Sequence, residues 1–243
     1  MFKTTFSKSL AAAAVATTLS LASAQALSAP ILEDFIVDEG SVPGTPNNIF
    51  TADKINGGYS EKLTILGALP AGPLTFTTSA YATFNAFYKD DGTTLVSSYI
   101  NNLGTGYGMY AIFTSAGNIV GNNFQGATGS FDLYIDPDQN TTLGFVGNIA
   151  TASGVVSDDY KIGFATNLTF ALGINQPPTG AFDLFFDDFT LTAPPGQTPP
   201  NGDKYFTSPR PFHLLVNVDG DFDNLAIVPG TVDVNGDLSA VFL

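Results

Sequence analysis

Gly129-Ser130-Phe131-Asp132-Leu133-Tyr134-Ile135-Asp136 and Gly180-Ala181-Phe182-Asp183-Leu184-Phe185-Phe186-Asp187 decide the fold class. The two stretches agree at six of eight positions when Tyr and Phe count as equal. Successive side chains of a strand point to opposite faces, so a period of two marks a half-buried strand. Phe131, Leu133 and Ile135 therefore share one face, as do Phe182, Leu184 and Phe186. These residues and Val216 are expected in the core. Asp132 and Asp183 fall on the opposite, outward face. The likeness reads either as two equivalent, paired strands or as convergence on one good strand pattern. A single pair 51 residues apart does not make a solenoid, which needs about three repeats.

Working outward, the alternation recurs. Leu63–Leu66 follows an expected turn at Gly57-Gly58, and Leu74–Phe84 is rich in Thr and aromatics. Asp90-Asp91-Gly92 is a strong turn signal. Tyr107–Phe113 is a further strand, expected to end at Ser115–Asn118. Tyr160–Ala165, Leu168–Leu172, Phe182–Thr192, His213–Val218 and Leu238–Phe242 complete the series. No helix-period stripe of useful length interrupts it. The 21 Phe and nine Tyr, with no Trp, suit pleated sheet faces. Spacing and turn density predict an all-β fold. The expected form is an antiparallel, jelly-roll-like sandwich, with a barrel as the alternative. Residues 27–243 read as one domain. Ala193–Gly202 (APPGQTPPNG) reads as a surface loop, because proline cannot donate within a central ladder.

The first 26 residues read differently. Lys3 and Lys8 precede an uncharged small and apolar run, Ser9–Ala22, and two small-x-small sites follow at Ala22–Ala24 and Ala24–Ala26. That order is a secretory signal peptide, cleaved after Ala24 or Ala26. The run is too short to span a bilayer, and no later apolar stretch is long enough. An exported chain is permitted disulfides, but this one has no Cys.

The sequence holds 22 acids against eight bases, a formal charge of −14; losing Lys3 and Lys8 takes it to −16. Only Glu33, Glu39 and Glu61 are glutamates. The rest are Asp, which favours turns. Such a charge repels nucleic acid and anionic headgroups and attracts divalent cations. Plain solubility is the competing reading.

Asp219-Gly220-Asp221-Phe222-Asp223-Asn224 is the densest set of oxygen ligands. Asp219, Asp221 and Asp223 are the candidate Ca²⁺ ligands, since alternate acids on a turn can converge on a hard cation. A solvated turn is the alternative. Asp233, Asn235 and Asp237 begin like an EF-hand loop, but Leu238 stands where glycine is required, so a turn is expected. Asp132, Asp136 and Asp138 form a third group, with Pro137 marking a tight turn. A glycosidase needs two such carboxylates, and nothing selects a pair. His213 is the sole histidine and lies in a strand, which leaves zinc without ligands. Tyr107 and Tyr110 are the aromatics a sugar could stack on, if they are not core. No catalytic residue is expected.

Several blocks carry a family resemblance. They are Phe50-Thr51-Ala52-Asp53-Lys54, Gly58-Tyr59-Ser60-Glu61, Thr78-Ser79-Ala80-Tyr81-Ala82 and Gly106–Thr114. Phe131–Pro137, Phe182-Asp183-Leu184, Asp188–Thr192 and Val216–Asn224 continue the series. In this order they resemble the flocculation-associated PEP-CTERM proteins of Gram-negative bacteria, from about Glu33 to Phe242. The resemblance implies a secreted, non-enzymatic protein of the extracellular polysaccharide matrix that helps cells aggregate, with polysaccharide or the cell surface as partner. Past the region matching Ser239–Phe242, that family continues into a Pro-Glu-Pro motif, an apolar helix and a basic tail. This sequence stops at Leu243, which reads either as a variant without that anchor or as a truncated sequence; if complete, it is not expected to be anchored by that route. A glycan hydrolase and an outer-membrane β-barrel are the competing readings.

Overall fold

Alternation along Lys54–Leu66 sets the pattern of the whole molecule: Ile55, Tyr59, Leu63 and Ile65 are buried, and Lys54, Lys62 and Thr64 point the other way. The computed structural model describes residues 32–67, 73–174, 181–191, 202–208, 212–220 and 226–242. The expected leader, residues 193–201, Asp221 and Asp223 lie outside the described residues.

Two short strands, β1 (Phe35–Asp38) and β2 (Ile49–Ala52), begin a small sheet. The main sheet starts with β3 (Lys54–Leu66), β4 (Leu74–Lys89) and its short partner β5 (Thr94–Leu95). It continues through β6 (Gly108–Val120) and β7 (Asn123–Asp136). A hairpin, β8 (Thr141–Val146) and β9 (Ile149–Gly154), interrupts it. Then come β10 (Tyr160–Ala165), β11 (Leu168–Ile174) and β12 (Ala181–Leu191). A one-turn helix, Gly202–Tyr205, leads into β13 (Phe206–Ser208), which joins the small sheet beside β1. β14 (Phe212–Gly220) and β15 (Gly230–Phe242) finish the main sheet.

β10 and β11 lie end to end between β7 and β12, pairing with both. β12 also pairs with β14, β14 with β15, and β15 with β3. Hydrogen bonding therefore returns to its start, and every pairing in this ring is antiparallel. The chain is the expected all-β antiparallel sandwich, with its layers joined by continuous pairing. Successive strands are neighbours, in an up-and-down order rather than the Greek-key crossings of a jelly roll. Tight turns permit this. β6 passes to β7 through Gly121-Asn122, with Gly121 at φ +62°, a left-handed conformation that costs glycine little.

The twin segments that set the fold class are not paired with each other. They fall on β7 and β12, on either side of the same interrupted strand. Their apolar faces are as read: Phe131, Leu133, Ile135, Phe182, Leu184, Phe186 and Val216 are all buried. Asp132 and Asp183 face outward, to Lys161 (2.8 Å) and Asn217 (2.5 Å).

Three expected turns are strand instead. Gly57-Gly58 lies inside β3, at a bulge after Asn56. A Cβ on Gly57 would stand 2.0 Å from the Thr83 carbonyl oxygen. The glycine thus serves a close backbone approach, as isolated strand glycines often do. Ser115–Asn118 likewise continues β6, with a bulge before Gly117. Asp233, Asn235 and Asp237 alternate along β15 while Val234 and Leu238 point inward. The period of two there overrode the turn chemistry of Asp and Asn. The turn at Asp90-Asp91-Gly92 is as expected. All three residues have positive φ, and the buried Asp53 carboxylate accepts the Gly92 N–H at 3.0 Å.

The core is aromatic. Phe76 meets Phe124 and Phe182 edge-on across the interior, at 5.3 and 6.0 Å. Phe131 bridges Phe113 and Phe186. At one end Phe35 and Phe206 of the small sheet pack on Phe212 and Phe242 of the main sheet. Such offset and T-shaped contacts add to what area burial alone provides. The β8–β9 hairpin folds back on the outer face. Ala150 N donates to Ser79 Oγ (2.9 Å), and Phe145 packs on Tyr81.

Candidate functional site

Because Val216, Val218, Val234 and Leu238 take the inner positions of β14 and β15, their neighbours must point outward. The outward positions on β12, β14 and β15 carry Asp183, Asn217, Asp219, Asp237, Asn235 and Asp233. Asp219 and Asp237 stand directly opposite each other, and both are exposed. Like charges facing across a pair of strands destabilise it by ~0.2–1 kcal/mol, and a cation between them reverses the sign. Asp233 is answered by an ion pair with Lys62, and Asp183 by the Asn217 amide.

Of the three candidate Ca²⁺ ligands, Asp219 lies at this face, and Asp221 and Asp223 fall outside the described residues. Among the described residues, no three His, Cys, Asp or Glu side chains converge on a metal position. The face offers a facing pair of acids set among amides, suited to loose cation attraction and to hydrogen bonding with a polar polymer. The alternation signal in Val232–Leu238 places Asp237 on an outer face; only strand register sets it against Asp219.

A second acidic group sits at the root of the hairpin. Asp159 Oδ2 accepts from Tyr110 OH and from Thr141 Oγ1, each at 2.7 Å. Asp136 accepts the Asn140 and Thr141 N–H groups, at 3.2 and 3.0 Å. Burial raises the Asp159 carboxyl above the usual range. The hydrogen bonds from Thr141 and Tyr110 oppose the rise, and the charges of Asp136 and Asp158 add to it. Asp136 was legible in the sequence beside Pro137. Asp138 sits exposed on the turn, and Asp132 is spent on Lys161.

The two tyrosines read as sugar platforms are packed away. Tyr110 is buried and stacks on Tyr134, with ring centres 4.9 Å apart. Tyr107 is buried in a network around Glu39, which the sequence reading did not single out. The Glu39 carboxylate accepts from Asn102 N (2.7 Å), Asn102 Nδ2 (2.5 Å), Asn48 Nδ2 (3.1 Å) and Tyr107 OH (3.0 Å). Tyr107 OH also lies 2.5 Å from Tyr205 OH. Four donors are what a buried carboxylate requires, so the arrangement is architectural. His213 is on β14 as expected. Its ring stacks on Phe185, with Nδ1 3.4 Å from Asp187 Oδ1.

Set against known proteins, the chain matches no family model, and no curated protein matches it significantly.

Proposed function

We propose that this is a non-enzymatic, exported protein of the extracellular polysaccharide matrix that promotes cell aggregation. The observation that carries the reading is the outer face of β14 and β15, where Asp219 and Asp237 oppose each other in the open. Added to it is the formal charge of −14. Two such surfaces repel each other and repel acidic polysaccharide. A divalent ion joins them, whereas monovalent salt only screens them. The resemblance to flocculation-associated proteins points the same way. The outward positions Lys62, Thr64, Thr77, Ser79, Asp132 and Asp183 favour this reading over an outer-membrane barrel. Such a barrel needs an apolar outward band about 25 Å tall.

The test compares aggregation with Ca²⁺, with chelator, and with NaCl at matched ionic strength. Aggregation with Ca²⁺ that chelator reverses is expected, with weakening in Asp219→Asn/Asp237→Asn. If NaCl works as well as Ca²⁺ and chelator has no effect, bridging is wrong.

A glycan hydrolase is the second reading, favoured by the raised Asp159 beside Asp136. It requires turnover of a polysaccharide that Asp159→Asn abolishes, and the absence of any turnover excludes it.

A further inference from the structure

Glu61 occupies an inner position of β3, where alternation calls for an apolar residue between Tyr59 and Leu63. It is 4% exposed, and no hydrogen-bond or ion-pair partner for it occurs among the described residues. The contrast with Glu39 is sharp: among the described residues one buried glutamate has four donors and the other none. The space beside Glu61 is lined by Leu63, Phe76, Thr78, Phe124 and Phe182. It takes about one water molecule, too little for an organic ligand.

Among the described residues, every element packed around this carboxyl presents neutral groups. β4 presents Phe76, Thr78 and Ala80, and Thr78 is engaged with Ser115 of β6. β7 presents Phe124, β12 presents Phe182, and β15 sets Val234 opposite. Tyr59 is the other titratable group on the inner face of β3. Lys62 and Asp233 lie on the outer face and pair with each other.

We propose that Glu61 is a pH-sensitive latch of the closed sheet: its neutral carboxyl suits the dry interior, and its ionised form draws in water and loosens β3 from β4 and β15. An ionised carboxylate without partners is not tolerated in apolar surroundings, so the group stays protonated or its surroundings open. Burial alone pushes the Glu61 carboxyl from 4.5 up to about 8. The folded form then holds a proton that the unfolded chain releases near 4.5. The stabilising contribution is complete below that value and is lost as pH rises through about 8. Each pH unit in between shifts the unfolding equilibrium up to about tenfold, on the order of a thousandfold in all.

The experiment uses the full chain labelled with ¹³C at the glutamate carboxyls. With three glutamates in the sequence, Glu61→Gln identifies the Glu61 resonance by its loss. That resonance is expected to titrate near pH 8. The wild-type melting midpoint should fall between pH 5 and 8 and be flatter in Glu61→Gln. Binding of an apolar dye should rise as pH passes through about 8, in wild type alone. A Glu61 resonance that titrates in the ordinary carboxylate range overturns the proposal. So does a Glu61→Gln variant that keeps the wild-type pH profile. Should the variant not fold, the Glu61 signal is assigned from neighbouring nuclei, and its titration decides.

Discussion

Replacing Glu39 by Ala removes the acceptor on which the closed end of the molecule is built. Asn102 N, Asn102 Nδ2, Asn48 Nδ2 and Tyr107 OH all donate to it. Net bonds to a charged group contribute ~1.5–3 kcal/mol each, and a buried donor left unpaired costs ~1–3 kcal/mol. The four cannot simply be summed. Tyr107 OH keeps Tyr205 OH as a neighbour, and water can reach part of the vacated space. Three donors, Asn102 N, Asn102 Nδ2 and Asn48 Nδ2, lose the side-chain acceptor they have here; with Asn48 only half-buried and open to water, the expected loss is about 3–5 kcal/mol. Glu39→Gln keeps the volume but turns an NH₂ toward the same donors, and should recover little. The chain has no Trp, so urea unfolding is followed by far-UV circular dichroism and tyrosine fluorescence. At a slope of ~2 kcal/mol/M, the midpoint should drop by about 1.5–2.5 M with the slope unchanged. A drop under ~0.5 M would refute the reasoning and mean that water already solvates the carboxylate.

Two further substitutions test the sheet. Phe182→Ala empties a site where the ring is 5% exposed and packs on Phe76; it should cost about 3–5 kcal/mol. A change below ~0.5 kcal/mol, ordinary for a surface position, would mean the face is misassigned. Gly57→Val would drive a Cβ to within 2.0 Å of the Thr83 carbonyl oxygen, and at least about 1–3 kcal/mol of overpacking follows. Gly144→Ala, with nothing within 4 Å of the added Cβ, is the control and should be near neutral. Equal effects at the two glycines, measured by the same unfolding, would remove the close-approach account of the bulge.

Strand identity and facing were legible because one face is buried. Phe131, Leu133, Ile135 and their β12 counterparts could be assigned from alternation alone, since a slip by one residue would expose them all. Glycine was the main source of error. Gly57 and Gly117 look like turns in sequence, but they admit a facing carbonyl, and only the neighbouring strand reveals that. Asp233–Asp237 misled in the same way, because oxygen-rich turn chemistry and an outward-facing strand pattern use the same letters. The outer acidic face was half legible. Asp219 stood out within its cluster, and Asp237 joins it only through the β14–β15 register. Glu61 carried a signal that went unread, a carboxyl at an inner position between Tyr59 and Leu63. Glu39 carried none, because its partners come from positions 48, 102 and 107.

The return of β12 onto β14 has a consequence for how copies of this protein can meet. A sheet with an open border offers a row of unpaired backbone groups that templates the addition of foreign strands. Here each strand of the ring has a partner on both sides, so the ring presents no such border, and among the described residues open edges are left to the short strands β2, β5, β8, β9 and β13. Under the proposed function, copies that meet over the ring would associate through side chains and the ions between them rather than by strand addition. Contacts of that kind should come apart when the ions are withdrawn, leaving each molecule folded.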